Sequence, residues 1–271
     1  VGSRGLGDVY KRQFQAQPIQ RAIGGCRRPE FRNLQSEGCR TLMCSCTLLH
    51  NMTRTVGMAS QTAQTLASRP PRLLVIAGAT GVGKSTAAVG VAQRAGFTRV
   101  MSTDAIREIM RATDADQTND ALHRSSFSRG SSGEPVLDWN ETCLALEAGV
   151  SATVERARRE GIDLLLEGVH IVPNARMLKA WEDAGGVALG VVMVVDEERA
   201  HQAMLKSRDA HSYRRSDRYL ASFARIRAIQ EGLIERAKIA NWPTVDPTRV
   251  EDDVERINTL LNRAVDAHHE D

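Results

Sequence analysis

Chemistry is densest at GATGVGKS, residues 78–85, which fits the spacing G-x-x-x-x-G-K-[ST] in full. Glycines at Gly78, Gly81 and Gly83 let a backbone wrap closely around phosphate oxygens with its amides pointing inward. Lys84 is placed to reach β- and γ-phosphates, the Ser85 hydroxyl to ligate Mg²⁺, and Val82 and Thr86 complete the nucleotide-binding run. ATP and Mg²⁺ are the expected cofactors. The loop does not separate kinases from ATPases or GTPases. No N/TKxD guanine-specificity motif accompanies it, and the chain is short for an AAA-type machine with sensor and arginine-finger segments. What remains is a compact small-molecule kinase.

Such a kinase needs an acid near the acceptor hydroxyl, an acid on the metal side, and cations for the moving phosphate. Asp104 stands where the second predicted strand meets a helix, and is expected as catalytic base or Mg²⁺ ligand; helix capping is its ordinary alternative. Glu167 closes the apolar run LLLE, the Walker-B position, and is expected to be catalytic and to share the metal with Ser85 and Asp104. An acid ending a buried strand is costly without a partner. His170, three residues on, is taken as a substrate or phosphate contact. Arg107, Arg111 and Arg124 follow the second strand and would line an acceptor pocket. Lys206, Arg208, Arg214, Arg215 and Arg218 crowd thirteen residues against only Asp209 and Asp217. Arg208 and Arg218 are expected to act on the transferring phosphate, and Arg214 and Arg215 on the substrate. A solvated charged face is the alternative for this group.

These groups need elements to position them. RLLVIAG (72–78) reads as a buried strand flowing into the phosphate loop, and 84–95 as the helix after it. FTRVMS (97–102) reads as a second strand, with Ser102 or Thr103 capping the helix DAIREIMRA. Residues 113–136 are polar and Gly/Ser-rich, hence loop with one helical turn at most, and a long helix follows over 138–160. Strands are expected at 162–168 and 188–195, with a short helix after Pro173 between them. Residues 197–240 are helical and interrupted near RDAHSYRRSD, with a lid expected at about 197–218. PTVDP is a last short strand and 249–266 an amphipathic helix. Strands alternating with helices predict an α/β three-layer sandwich of the P-loop NTPase type, with a five-stranded parallel sheet and a helical lid, as in nucleotide kinases.

Composition narrows the partners. Residues 1–57 hold nine Lys/Arg against three Asp/Glu, so the net charge of +3 leaves a mildly acidic body and no argument for nucleic acid. No apolar run reaches the roughly 18 residues of a membrane span. Four of the five cysteines (Cys26, Cys39, Cys44, Cys46) lie in that first segment at spacings that fit no zinc template; Cys143 reads as an ordinary buried or half-buried thiol. A reducing cytoplasm and a small-molecule substrate are expected, with no membrane or nucleic-acid partner. The opening VGSRGLGDVYKRQ resembles a translated library adapter, and MASQTAQTLASRPPRLLVIAG from Met58 resembles a natural start. Residues 1–57 are therefore expected to be a non-native or disordered extension before a kinase domain at 58–271; an Arg-rich transit peptide is the competing reading.

GATGVGKST, STDAIREIMRA, LHRSS, LLLEGVHIVP and RYLASFARIRAIQEGLIERA together resemble the 2-phosphoglycerate kinase family, in order over roughly residues 72 to 250. The resemblance implies transfer of the ATP γ-phosphate to the 3-position of 2-phosphoglycerate, giving 2,3-bisphosphoglycerate. Archaeal members carry an N-terminal ATP-cone-like domain, which residues 1–57 do not resemble. From the residues alone, a kinase for another small acceptor and a nucleotide-dependent switch or toxin-like P-loop protein stay open.

Overall fold

The computed structural model describes residues 69–207, 216–249 and 252–270; the extension read at 1–57 lies outside the described residues, as do Arg208, Arg214 and Arg215. The elements run β1 (Arg72–Gly78), α1 (Lys84–Ala95), β2 (Val100–Ser102), α2 (Thr103–Thr113), α3 (Asp120–His123), α4 (Pro135–Arg159) and β3 (Leu164–Gly168). They continue with α5 (Ala175–Glu182), β4 (Val187–Met193), α6 (Glu198–Ser207), α7 (Ser216–Ala221), α8 (Phe223–Ala240), β5 (Thr244–Val245) and α9 (Asp253–Glu270).

The five strands pair in parallel in the order β2-β3-β1-β4-β5. Successive strand side chains point to opposite faces, yet Leu73, Leu74, Val75, Ile76 and Ala77 are all fully buried. Both faces of β1 are therefore covered by helices, as an all-parallel sheet requires. Burying such a branched side chain contributes roughly 1.5–3 kcal/mol, so the strand that carries the phosphate loop is firmly anchored. Arg72 begins it with its guanidinium on Asp163, 2.7 Å away, and 4.5 Å from the Phe97 ring centroid.

Element limits differ from expectation where a local contact competes. β2 starts at Val100, because the Phe97 amide closes the end of α1 on the Ala92 carbonyl (2.9 Å) and its ring is buried. The long helix α4 starts at Pro135, which takes the first helical position while Glu134 accepts the Leu137 amide at 2.8 Å. Ser102, not Asp104, caps α2: its hydroxyl accepts the Ala105 amide at 3.1 Å. Cys143 on α4 is buried, which pushes its thiol pKa up. Among the described residues no helix is long and apolar enough to cross a membrane.

Candidate active site

The phosphate loop links β1 to α1, with Gly78 ending the strand and Gly83 preceding the helix. Gly81 sits at φ 94°, and a Cβ there would lie 2.3 Å from Leu205 Cδ2. Helix α6 thus rests directly on the loop. From the same helix the fully buried His201 reaches the Thr80 carbonyl, Nε2 to O 2.9 Å. A carbonyl only accepts, so this ring nitrogen carries the hydrogen. Lys84 is buried and donates to the Ala79 carbonyl at 2.8 Å, across the loop it serves. The Val82 side chain is in the core, leaving its backbone to face a phosphate, while Ser85 and Thr86 are exposed.

Register brings Glu167 to the loop. Glu167 pairs with Ile76 of β1 on one side and Ser102 of β2 on the other, at the carboxyl ends of all three strands. The Ser85 hydroxyl donates to Glu167 Oε1 at 3.0 Å. Adjacent oxygen ligands of an octahedral Mg²⁺ at about 2.1 Å stand about 3.0 Å apart, so the pair fits such an ion. No group of three or more His, Cys, Asp or Glu that could cage a metal occurs among the described residues. Mg²⁺ ordinarily takes one or two protein ligands beside phosphates and water.

A cleft of about 700 Å³ opens from this pair. Lys84, Ser85 and Glu167 line one part of it; Asp104, Arg107 and Arg111 of α2 and Arg218 of α7 line others. Asp104 is exposed, and its Oδ1 lies 3.8 Å from Nδ1 of the buried His170. Burial lowers the His170 pKa to about 4, with Arg107 and Lys84 adding to the effect and Asp104 opposing it. The imidazole is therefore neutral near pH 7. Its Nδ1 also lies 3.3 Å from the Thr103 hydroxyl, and its Nε2 is buried without a partner. Thr103 presses on β3 so closely that a Cβ on Gly168 would meet its Oγ1 at 1.8 Å. This contact seats the first turn of α2, and with it Asp104, beside Glu167.

The arginines divide. Arg107 lines the cleft, but its guanidinium is spent on the carbonyls of Leu122 (2.9 Å), His123 (3.3 Å) and Arg124 (2.5 Å) at the end of α3. Arg124 corrects the expectation: it points out of the cleft, onto Asp120 (2.7 Å), the Asp138 carbonyl (2.9 Å) and Glu141. Arg218 donates to the Ser125 hydroxyl at 2.5 Å and lies 5.4 Å from the Phe127 ring centroid. Lys206 closes α6 as an exposed residue, so the first half of the expected lid belongs to the wall under the phosphate loop.

Several cleft-lining residues escape sequence reasoning. Ser125, Ser126, Phe127 and Tyr219 line the cleft. The serines stand in LHRSS, a motif with no chemistry of its own to announce them. The loop that carries them is held from behind by the fully buried Asp138 and by Arg225. Asp138 accepts from the Ser132 hydroxyl (2.7 Å), the amides of Ser132 and Gly133 (both 3.1 Å) and Arg225 (2.7 Å). Arg225 also donates to the carbonyls of Phe127 (2.9 Å), Gly133 (2.9 Å) and Ser128 (3.2 Å).

Comparison with known proteins identifies relatives of the chain. The model of a family described as an AAA domain matches residues 73–233, from β1 into α8. The 2-phosphoglycerate kinase of Methanopyrus kandleri is 34% identical over 204 residues, 71% of this chain and 61% of that one. That of Pyrococcus horikoshii is 31% identical over 194 residues, 69% of this chain and 63% of that one. That of Thermococcus kodakarensis is 34% identical over 200 residues, 71% and 67% respectively. The matched part of the chain thus spans about three fifths to two thirds of these relatives' length. With 34% identity to a relative of which it covers two thirds, the chain belongs to the 2-phosphoglycerate kinase family.

Proposed function

We propose that the chain transfers the γ-phosphate of ATP to the 3-hydroxyl of 2-phosphoglycerate, giving ADP and 2,3-bisphosphoglycerate. The observation that carries the reading is one cleft holding Lys84, Ser85 and Glu167 together with Asp104 and a cluster of guanidinium groups. Donor and acceptor machinery share a single space. The choice of 2-phosphoglycerate as acceptor is supported by the names of the relatives.

In this reading the loop amides and Lys84 hold the β- and γ-phosphates. Mg²⁺, held by Ser85 and Glu167, would neutralise charge on them. Asp104 takes the proton of the acceptor hydroxyl as its oxygen bonds to the γ-phosphorus and the bond to the β–γ bridging oxygen breaks. His170 is neutral, so no imidazolium stands beside Asp104 to pair with its carboxylate. A cytoplasmic setting suits ATP as donor and the reduced Cys143.

The test is acceptor-dependent ADP release from the full chain with ATP, Mg²⁺ and 2-phosphoglycerate, with phosphorus NMR of the product. A doubly phosphorylated glycerate is the expected product. Release of ADP at the same rate without acceptor would overturn the reading.

A further inference from the structure

Four arginines follow the second strand or precede α8 near the cleft, and they are not equivalent. Arg107 and Arg124 each spend two guanidinium nitrogens on protein oxygens, as described above, and Arg124, whose buried Nε has no hydrogen-bond partner, does not line the cleft. Arg111 has one donor on the exposed Glu108 (2.9 Å), while its buried Nε has no hydrogen-bond partner. Arg218 has one donor on Ser125, and the rest of its fork is uncommitted in hydrogen bonds or ion pairs. A guanidinium carries five N–H donors, so these two side chains retain capacity for an anion.

Helix α2 sets where that anion would sit. Asp104, Arg107 and Arg111 follow at helical spacing, i, i+3 and i+7, on the face that lines the cleft. At 1.5 Å per residue, Arg111 lies about 10 Å further along the axis than Asp104. Asp104 is beside His170 and the end of β3, at the donor side. The guanidinium end is therefore the far end of the cleft. Arg107 feels both cations there: burial lowers its pKa most, with Arg111 and Arg218 contributing and Asp104 and Glu108 opposing. Ser125 and Ser126 add hydroxyls on the same wall.

We infer that Arg111 and Arg218, with the hydroxyls of Ser125 and Ser126, form the subsite for the anionic group the acceptor already carries. Arg107 is a brace for that wall. The proposal rests on the kinase reading above and deepens it. The acceptor class is a small molecule with a hydroxyl at Asp104 and a phosphate or carboxylate a few bonds away. This changes the role expected for Arg218, which grips the acceptor's own anion rather than the phosphate in transit. Paired forks suit either group, because each presents a pair of oxygens that one guanidinium can meet with two parallel N–H bonds.

The experiment measures steady-state kinetics of the full chain, its Arg111→Gln and Arg218→Gln variants, and Arg218→Lys. The acceptors are 2-phosphoglycerate, glycerol 2-phosphate (phosphate alone) and glycerate (carboxylate alone). Each Gln variant should raise KM for 2-phosphoglycerate by about 10- to 100-fold, the loss of one charge-assisted hydrogen bond. The KM for ATP should stay within about 2-fold, and kcat should change little. Arg218→Lys should fall between, keeping the charge without the fork. The acceptor whose preference over the others collapses in the variants identifies which anion is read. A fall in kcat at unchanged acceptor KM would overturn the subsite and return these cations to the transferring phosphate. Wild-type turnover of another anionic acceptor in place of 2-phosphoglycerate would sink the acceptor assignment alone, and the same KM comparison with that acceptor then decides the subsite. A preference for an uncharged alcohol would sink the subsite.

Discussion

Asp104 and Glu167 are two acids in one cleft with different surroundings. Glu167 is buried and takes the Ser85 hydroxyl, whereas Asp104 is exposed beside a neutral imidazole. The difference predicts different failures. Asp104→Asn should slow phosphoryl transfer by roughly 10²-fold or more while ATP affinity stays within a few-fold; near-normal turnover would reduce it to a first-turn acid favoured by the helix dipole. Glu167→Gln should instead raise the Mg²⁺ concentration needed for half-maximal rate. An unchanged Mg²⁺ titration would remove Glu167 from the metal. The sequence singles out both acids because each ends an apolar strand or opens a helix, where a carboxylate needs a reason, and the structure brings both to one cleft. Arg124 was misread for the opposite cause: its position in the chain is close to the cleft, but Glu141, seventeen residues away, claims its fork. Partner choice among long side chains is a tertiary matter that spacing does not carry.

At the scale of elements, β1 and α1 run over the residues that periodicity and the glycine loop predict, 72–78 and 84–95. The role of α6 does not show in its sequence. Nothing in ERAHQAMLKS says that His201 and Leu205 face the phosphate loop, because the contact joins segments 121 residues apart. His201→Leu should remove a hydrogen bond to Thr80 while keeping a side chain of similar bulk. A net loss of about 1 kcal/mol translates to roughly 5-fold in nucleotide affinity. KM for ATP should rise by that order with acceptor KM unchanged, and His201→Gln, which retains a donor, should recover part of it. A change confined to thermal stability, with KM for ATP intact, would make His201 a packing residue only.

For the molecule as a whole, the buried Asp138–Arg225 pair ties the cleft wall to α4 and α8. Burial pushes the Asp138 carboxyl pKa up, but hydrogen bonds from Gly130, Ser132, Arg225 and Gly133 outweigh it and hold the group well below the usual carboxylate range. A depressed folded-state pKa stabilises the fold above the unfolded value, near 4, and the stabilisation is lost as pH falls below it. Asp138→Asn leaves Arg225 without its counter-charge and should cost about 3–5 kcal/mol in denaturant unfolding at pH 7. The gap between variant and wild type should narrow below about pH 4. A difference under about 1 kcal/mol at pH 7 would place the pair with ordinary surface ion pairs.

The strand order has a further consequence, in the timing of synthesis. β1 lies between β3 and β4, and neither is its neighbour along the chain. A ribosome that has made residues 72–102 has produced the whole phosphate motif, but β1 has no partner until Leu164–Gly168 emerges and is flanked on both sides only after Val187–Met193 follows. For some ninety codons the nascent chain carries an apolar strand with two open edges, the kind of segment that chaperones cover. Nucleotide affinity can therefore arise only late in translation, when the middle of the sheet closes from both sides.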